Sequence, residues 1–157
     1  MRKKSEPVAE INEEVTQLVD DMVDTMYTAK GVGLAAIQIG IAKRVIVINV
    51  GEGLVALINP EIIESEGEAR MEEGCLCLPG VLVEITRGEK IRVKGINEMG
   101  KEILIGAEGL MARALQHEID HLEGVLIIDK VSKIKRKLLV SKLKKEAKER
   151  AAAHKDT

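Results

Sequence analysis

The sequence predicts an α+β fold: an antiparallel or mixed sheet packed around a central H-E-x-x-H helix, with a further C-terminal helix. Three observations predict it. Short Val/Ile-rich segments, punctuated by Gly, Asn and Pro, follow one another between residues 44 and 105. Apolar residues recur at helical spacing over 10–29 and again over 108–122. Strands arrive in a run instead of alternating with helices, which favours α+β over a doubly wound parallel sheet. A chain of 157 residues is long enough for one domain with a real core.

In the first helix, 10–29, Ile11, Val15, Leu18, Val19, Met22 and Met26 form the apolar stripe, and Glu13, Glu14, Asp20, Asp21 and Asp24 lie elsewhere. Gly31 and Gly33 end it and begin the loop Gly31–Gln38. This loop matches G-x-G-x-x-A, but a dinucleotide fingerprint follows a strand and opens a helix, whereas this one follows a helix. The better reading is a tight loop whose small residues admit a backbone or substrate. Gln38 is then either a surface glutamine or an amide donor to an oxyanion. Strands follow at Arg44–Val50 and Leu54–Asn59, separated by Gly51-Glu52-Gly53, the second ended by Pro60. Residues 61–71 continue as a weaker strand, and Val81–Thr86, Lys90–Ile96 and Glu102–Ile105 are three more. The central helix occupies 108–122 and stops near Gly124, after which Val125–Ile128 is expected as a last short strand. From 132 toward 150 runs a Lys-rich helix with Ile134, Leu138, Leu139 and Leu143 on its apolar side.

Composition excludes several classes of function. A net charge of −2 gives no global field for nucleic acid. Tyr27 is the single aromatic residue, so single-stranded nucleic acid has no stacking platform. No apolar run approaches membrane length, and no apolar segment follows the basic Met1–Lys4, so no secretory signal is expected. Cys75 and Cys77 are too close for an ordinary disulfide, and a reducing, cytoplasmic setting is the simplest reading.

The chemistry gathers at Gln116-His117-Glu118-Ile119-Asp120-His121. Residues four apart nearly stack on one helix face, so His117 and His121 can aim two imidazoles at one ion. From position 118 a carboxylate can reach water at that ion without ligating it. A catalytic site of this type needs a third protein ligand. Either Cys75 or Cys77 can supply it, and Gly74 beside Cys75 favours Cys75. Glu146 and Glu149 sit in the Lys-rich helix, where solvated ion pairs are the better reading. The extended motif H-E-x-x-H-x-x-G-x-x-H fails, because Gly124 is in place but Ile127 stands at the third histidine.

Three stretches in order resemble the motifs of the peptide deformylases. Gly31–Gln38 resembles G-φ-G-φ-A-A-x-Q, Glu73–Leu76 resembles the start of E-G-C-L-S, and Gln116–Gly124 resembles Q-H-E-x-D-H-L-x-G. The likeness extends over nearly the whole chain. It implies removal of the N-formyl group from the initiator methionine of nascent polypeptides. It implies Cys75, His117 and His121 as ligands of one divalent metal, Fe(II) natively, with Ni, Co or Zn as substitutes. It implies Glu118 as general base and acid, and Gln38 with the Leu76 backbone N–H as oxyanion donors. Two departures stand out. Cys77 replaces the usual serine, and the chain begins at a segment that family members precede with a short extension, so an edge strand or groove support is expected to be missing. Val32, Met71, Leu110, Ala114 and the stem of Arg113, with Gly33 and Gly74 beside them, are expected to line the substrate pocket, and Arg87, Glu73 and Asp120 to surround the ligands. Residues 1–131 are expected to form the metallohydrolase domain, with 132–157 its basic C-terminal helix and tail. That segment carries ten Lys or Arg against two acidic residues from Lys130 to Arg150, and the resemblance implies ribosome docking through it. The alternatives are an endopeptidase with a different third ligand and a metal-stabilised binding module without turnover.

Overall fold

The computed structural model describes residues 3–75 and 78–130 with positions 138, 141, 144, 145, 147 and 148, omitting the side chains at 75, 78–81 and 128. By contacts the chain divides into two compact units, Met1–Met71 with Thr86–Leu126, and Glu72–Ile85 with Ile127–Thr157.

In the first unit, helix α1 spans Glu13–Thr28. It starts there because Asn12 keeps an extended backbone and its side chain accepts a hydrogen bond from the Val15 N–H at 3.2 Å. Strand β1, Gly33–Ala35, follows, then a short 3₁₀ turn over Ala36–Ile39. Strand β2 is Val45–Ile48 and β3 is Val55–Glu66. Strands β4, Ala69–Cys75, and β5, Leu78–Arg87, whose residues 72–85 belong to the second unit, pair with each other. Strands β6, Lys90–Ile96, and β7, Glu102–Glu108, complete a five-stranded sheet in the order β1-β2-β3-β6-β7, with every pairing antiparallel. Helix α2 covers Gly109–Leu122.

The pattern of β2 explains the layering. Val45 and Val47 join the core made by α1, while Ile46 and Ile48 join the core made by α2. A strand buried on both faces needs a continuous apolar run, and Val-Ile-Val-Ile is one. Strand β6 instead alternates, with Ile91 and Val93 buried and Lys90, Arg92 and Lys94 exposed. The α+β class and the antiparallel sheet agree with expectation. The H-E-x-x-H helix covers one face of the sheet, with α1 on the other, so "central" overstates its position.

Four expectations need correction. Strand β3 does not stop at Pro60. It runs on to Glu66, with register shifts between Ile58 and Glu61 and between Ile62 and Glu64. Asn59 makes this possible: it takes a φ of 53°, and its side chain accepts from the Val8 N–H at 2.8 Å and donates to the Val8 carbonyl at 2.9 Å. The weaker strand expected over 61–71 is therefore two pieces, broken at Gly67. Strand β7 extends past Ile105 because its pairing with β6 continues to Lys90 and Glu108. Val125–Ile128 is no strand. The end of α2 closes on itself, with the Val125 N–H bonded to the Asp120 carbonyl at 2.9 Å, and a 3₁₀ turn follows at Ile127–Lys130. Four apolar residues carry no period that separates the two outcomes.

In the second unit, the described positions between 138 and 148 are helical, and Leu138, expected on the apolar side, is exposed. The rest of the C-terminal helix expectation lies outside the described residues. No helix among the described residues is long and apolar enough to cross a membrane.

Candidate metal centre

Helix α2 carries the chemistry on its buried side. Ala112, Leu115, Ile119 and Leu122 pack into the core, and this seating turns His117, Glu118 and His121 inward, all three buried. The imidazole rings meet edge to face with centroids 4.9 Å apart, and their Nε2 atoms are 3.2 Å apart. Two nitrogens each 2.0–2.1 Å from one ion at a tetrahedral angle would lie about 3.3 Å apart. The pair therefore fits a single divalent ion. Their chemistry fits as well. Burial, then the neighbouring His117 and Arg87 charges, push the His121 pKa down to about 3, so the ring is neutral and keeps the lone pair that a metal needs. Donor atoms of His117, Glu118 and His121 all lie within 4.8 Å of one another.

Glu118 Oε1 is 3.8 Å from His117 Nε2. The carboxylate reaches this point through a close approach to β1. A Cβ built on Gly33 would lie 3.0 Å from Glu118 Cγ and 3.2 Å from Oε1. The small residue expected in the Gly31–Gln38 loop thus has a specific partner. Gln38 belongs to the turn that follows, and its Oε1 accepts from the Ala35 N–H at 2.8 Å. That bond fixes the amide's orientation and makes Nε2 its donor end. The loop entering β1 is held by Asn49, whose N–H donates to the Val32 carbonyl at 2.8 Å and whose Nδ2 donates to Tyr27 Oη at 3.0 Å.

Of the expected pocket residues, Val32, Met71 and Leu110 expose about half of their surface. Leu110, Ala114, His117 and His121 fall on one stripe of α2. Ala114 is buried in the core cluster, and Arg113 is buried with its Nη2 donating to the Ala69 carbonyl at 2.6 Å. Gly74 is exposed on β4 and Glu73 beside it is buried. Cys75 ends β4, but its side chain, Leu76 and Cys77 lie outside the described residues. Arg87 and Asp120 form a bond of 2.7 Å between Nη1 and Oδ2. A partner missed in sequence is Gly88, which looks like an ordinary turn residue in Arg87-Gly88-Glu89. Its N–H donates to Gln116 Oε1 and its carbonyl accepts from Gln116 Nε2, both at 2.9 Å.

Comparison with known proteins decides among metallohydrolases. The family model described as polypeptide deformylase matches residues 1–137. The chain belongs to that family. A peptide deformylase of Halothermothrix orenii is 57% identical over 136 residues, covering 85% of this chain and 88% of its own. One from Thermodesulfovibrio yellowstonii is 52% identical over 149 residues, covering 92% and 90%. The crystal structure of a peptide deformylase from Legionella pneumophila superposes with a TM-score of 0.90 at 44% identity, covering 96% of this chain and 90% of that one. The deformylase chain described here is thus a metal-dependent amide hydrolase acting on N-formyl groups.

Proposed function

We propose that this deformylase removes the formyl group from the N-terminal formyl-methionine of nascent polypeptides in the cytoplasm, with Cys75, His117 and His121 holding one divalent ion. The native ion is Fe(II), with Ni, Co or Zn as substitutes. The observation that carries this reading is the pair of Nε2 atoms 3.2 Å apart, with Glu118 beside them, in a chain of this family. A thiolate with two neutral imidazoles would leave the ion a single net positive charge, and such an ion supplies Lewis acidity that lowers the pKa of water.

The chain's own residues then divide the work. Glu118 accepts the proton of the attacking water. As that oxygen bonds to the formyl carbon, negative charge develops on the formyl oxygen, and the Gln38 amide with the Leu76 N–H stabilises it. Glu118 returns the proton to the amine nitrogen as the C–N bond breaks, releasing formate and a free amino terminus. Val32, Met71 and Leu110 offer apolar surface to the methionine side chain, with Gly33, Gly74, Arg113 and Ala114 completing the walls.

The test is formate release from a formyl-Met peptide by metal-loaded protein. Glu118→Gln is expected to keep the ion and lose nearly all turnover. A variant that releases formate at the normal rate would sink the assignment of Glu118 as base. Cleavage of casein at internal bonds would favour an endopeptidase instead.

A further inference from the structure

Each candidate metal ligand on α2 is preceded by a residue tied to one corner of the sheet region. Gln116 precedes His117, and its amide pairs with both the N–H and the carbonyl of Gly88 at 2.9 Å, with a further bond to the Ala112 carbonyl at 3.0 Å. Asp120 precedes His121, and its Oδ2 accepts from Arg87 Nη1 at 2.7 Å. Arg87 and Gly88 are consecutive, and Gln116 and Asp120 are one helical turn apart on one face. The corner itself has no slack. A Cβ on Gly88 would lie 2.3 Å from Ser65 Oγ on β3, so Gly88 is wedged between β3 and the Gln116 amide.

We propose that Gln116 and Asp120 are positioning residues whose two clasps on Arg87-Gly88 lock the roll of α2 about its axis. They thereby set the His117–His121 pair, as a unit, against the groups carried by other elements. A helix is rigid, so turning it leaves the spacing of the two rings unchanged. It moves both rings together, along with Glu118, relative to Gly33 and to any ligand not on α2. An atom about 5–6 Å from a helix axis shifts by about 1 Å for a turn of about 10°. That shift is large beside the few tenths of an ångström that a metal–ligand distance tolerates. Two clasps one turn apart resist roll and tilt together, which neither does alone.

The inference rests on the reading of His117 and His121 as ligands, and the experiment separates the two. The full chain is prepared without metal as wild type, Gln116→Met, Asp120→Asn and the double variant, then titrated with Co(II) while the visible absorption is recorded. Each single variant is expected to weaken Co(II) binding about tenfold, the lower end of the usual effect of outer-shell partners, and to alter the absorption bands. Because both clasps act on one motion, the double variant is expected to lose less than the product of the single losses. A residue serving stability alone would lower the urea midpoint and leave affinity and bands unchanged, and that result overturns the proposal. Asp120→Asn keeps the side chain's shape and an acceptor, so it decides the matter if Gln116→Met does not fold. Asp120→Glu, which restores a carboxylate for Arg87, should recover part of the affinity. The ring resonances of His117 and His121 in the metal-free variants give an independent reading. They should shift from wild type, and unchanged shifts overturn the roll lock. If wild type itself takes up no Co(II), the ligand reading fails, and these resonances still decide the lock.

Discussion

Gly33 and Glu118 are 85 residues apart in sequence and closely packed. A Cβ at 33 would lie 3.0 Å from Glu118 Cγ and 3.2 Å from Oε1, so the position of the proposed base depends on an atom that is absent. Gly33→Ala is expected to fold, because its backbone is not in the left-handed region. The added methyl must push Glu118 by a few tenths of an ångström. The metal should stay bound while kcat falls about tenfold, a fraction of the hundredfold that a misplacement of about 1 Å can cause. Steady-state formate release alongside metal analysis checks this, and unchanged kcat would mean that Glu118 works equally well displaced. The thiol at 75 poses a different question. Cys75→Ala is expected to lose the ion and Cys77→Ser to retain it, read as metal content per chain after gel filtration. The reverse pattern would exchange the two assignments. What sequence carried at this scale was spacing along α2: His117 and His121 at i and i+4 imply one point in space. It could not carry the partners of Glu118 and Gln116, because Gly33 and Gly88 become neighbours only when the chain folds.

At the scale of elements, β3 is the instructive case. Pro60 cannot donate to a ladder, and a strand is expected to end before it. The strand continues because Asn59 adopts a left-handed backbone and its amide replaces ladder bonds with bonds to Val8, 51 residues away. No local window contains that information. Asn59→Ala should cost about 2–4 kcal/mol, since it strands the Val8 N–H and forces a Cβ-bearing, non-Asn residue to a positive φ. Asn59→Gly keeps the backbone and loses only the bonds, so it should cost less. Urea midpoints measure both, and equal losses would show that the φ of 59 carries no strain. The existence of β2 and β6, by contrast, was legible, because short Val/Ile-rich runs bounded by Gly and Asn mark strands.

For the whole molecule, the basic C-terminal segment is the part least tied to the proposed chemistry. Its described positions are helical, and Lys144, Lys145 and Lys148 are exposed. Ribosomes present phosphate, and contacts between Lys or Arg and phosphate weaken steeply with salt. A chain truncated after Ser132 is expected to deformylate a short peptide while no longer co-sedimenting with ribosomes at low salt. Equal co-sedimentation of the two chains would reduce the segment to a solvated face. The fold class was legible at this scale because strands in a run, flanked by two amphipathic helices, leave few layer arrangements. The position of α2 on one face of the sheet was not, since the apolar stripe of a helix names no partner.

The contact between Tyr27 and Asn49 has a practical consequence. Tyr27 is the only aromatic side chain in the chain, so all intrinsic fluorescence comes from one phenol. That phenol sits in the core's place in no sense: it is half exposed and bonded to Asn49, which in turn holds the Val32 carbonyl at the entrance to β1. Emission from the native protein therefore watches the loop that brings Gly33 to the carboxylate, and is nearly blind to the aliphatic interior. Ligands that rearrange that loop carry their own optical signal, with no label attached, while repacking of the core passes unseen.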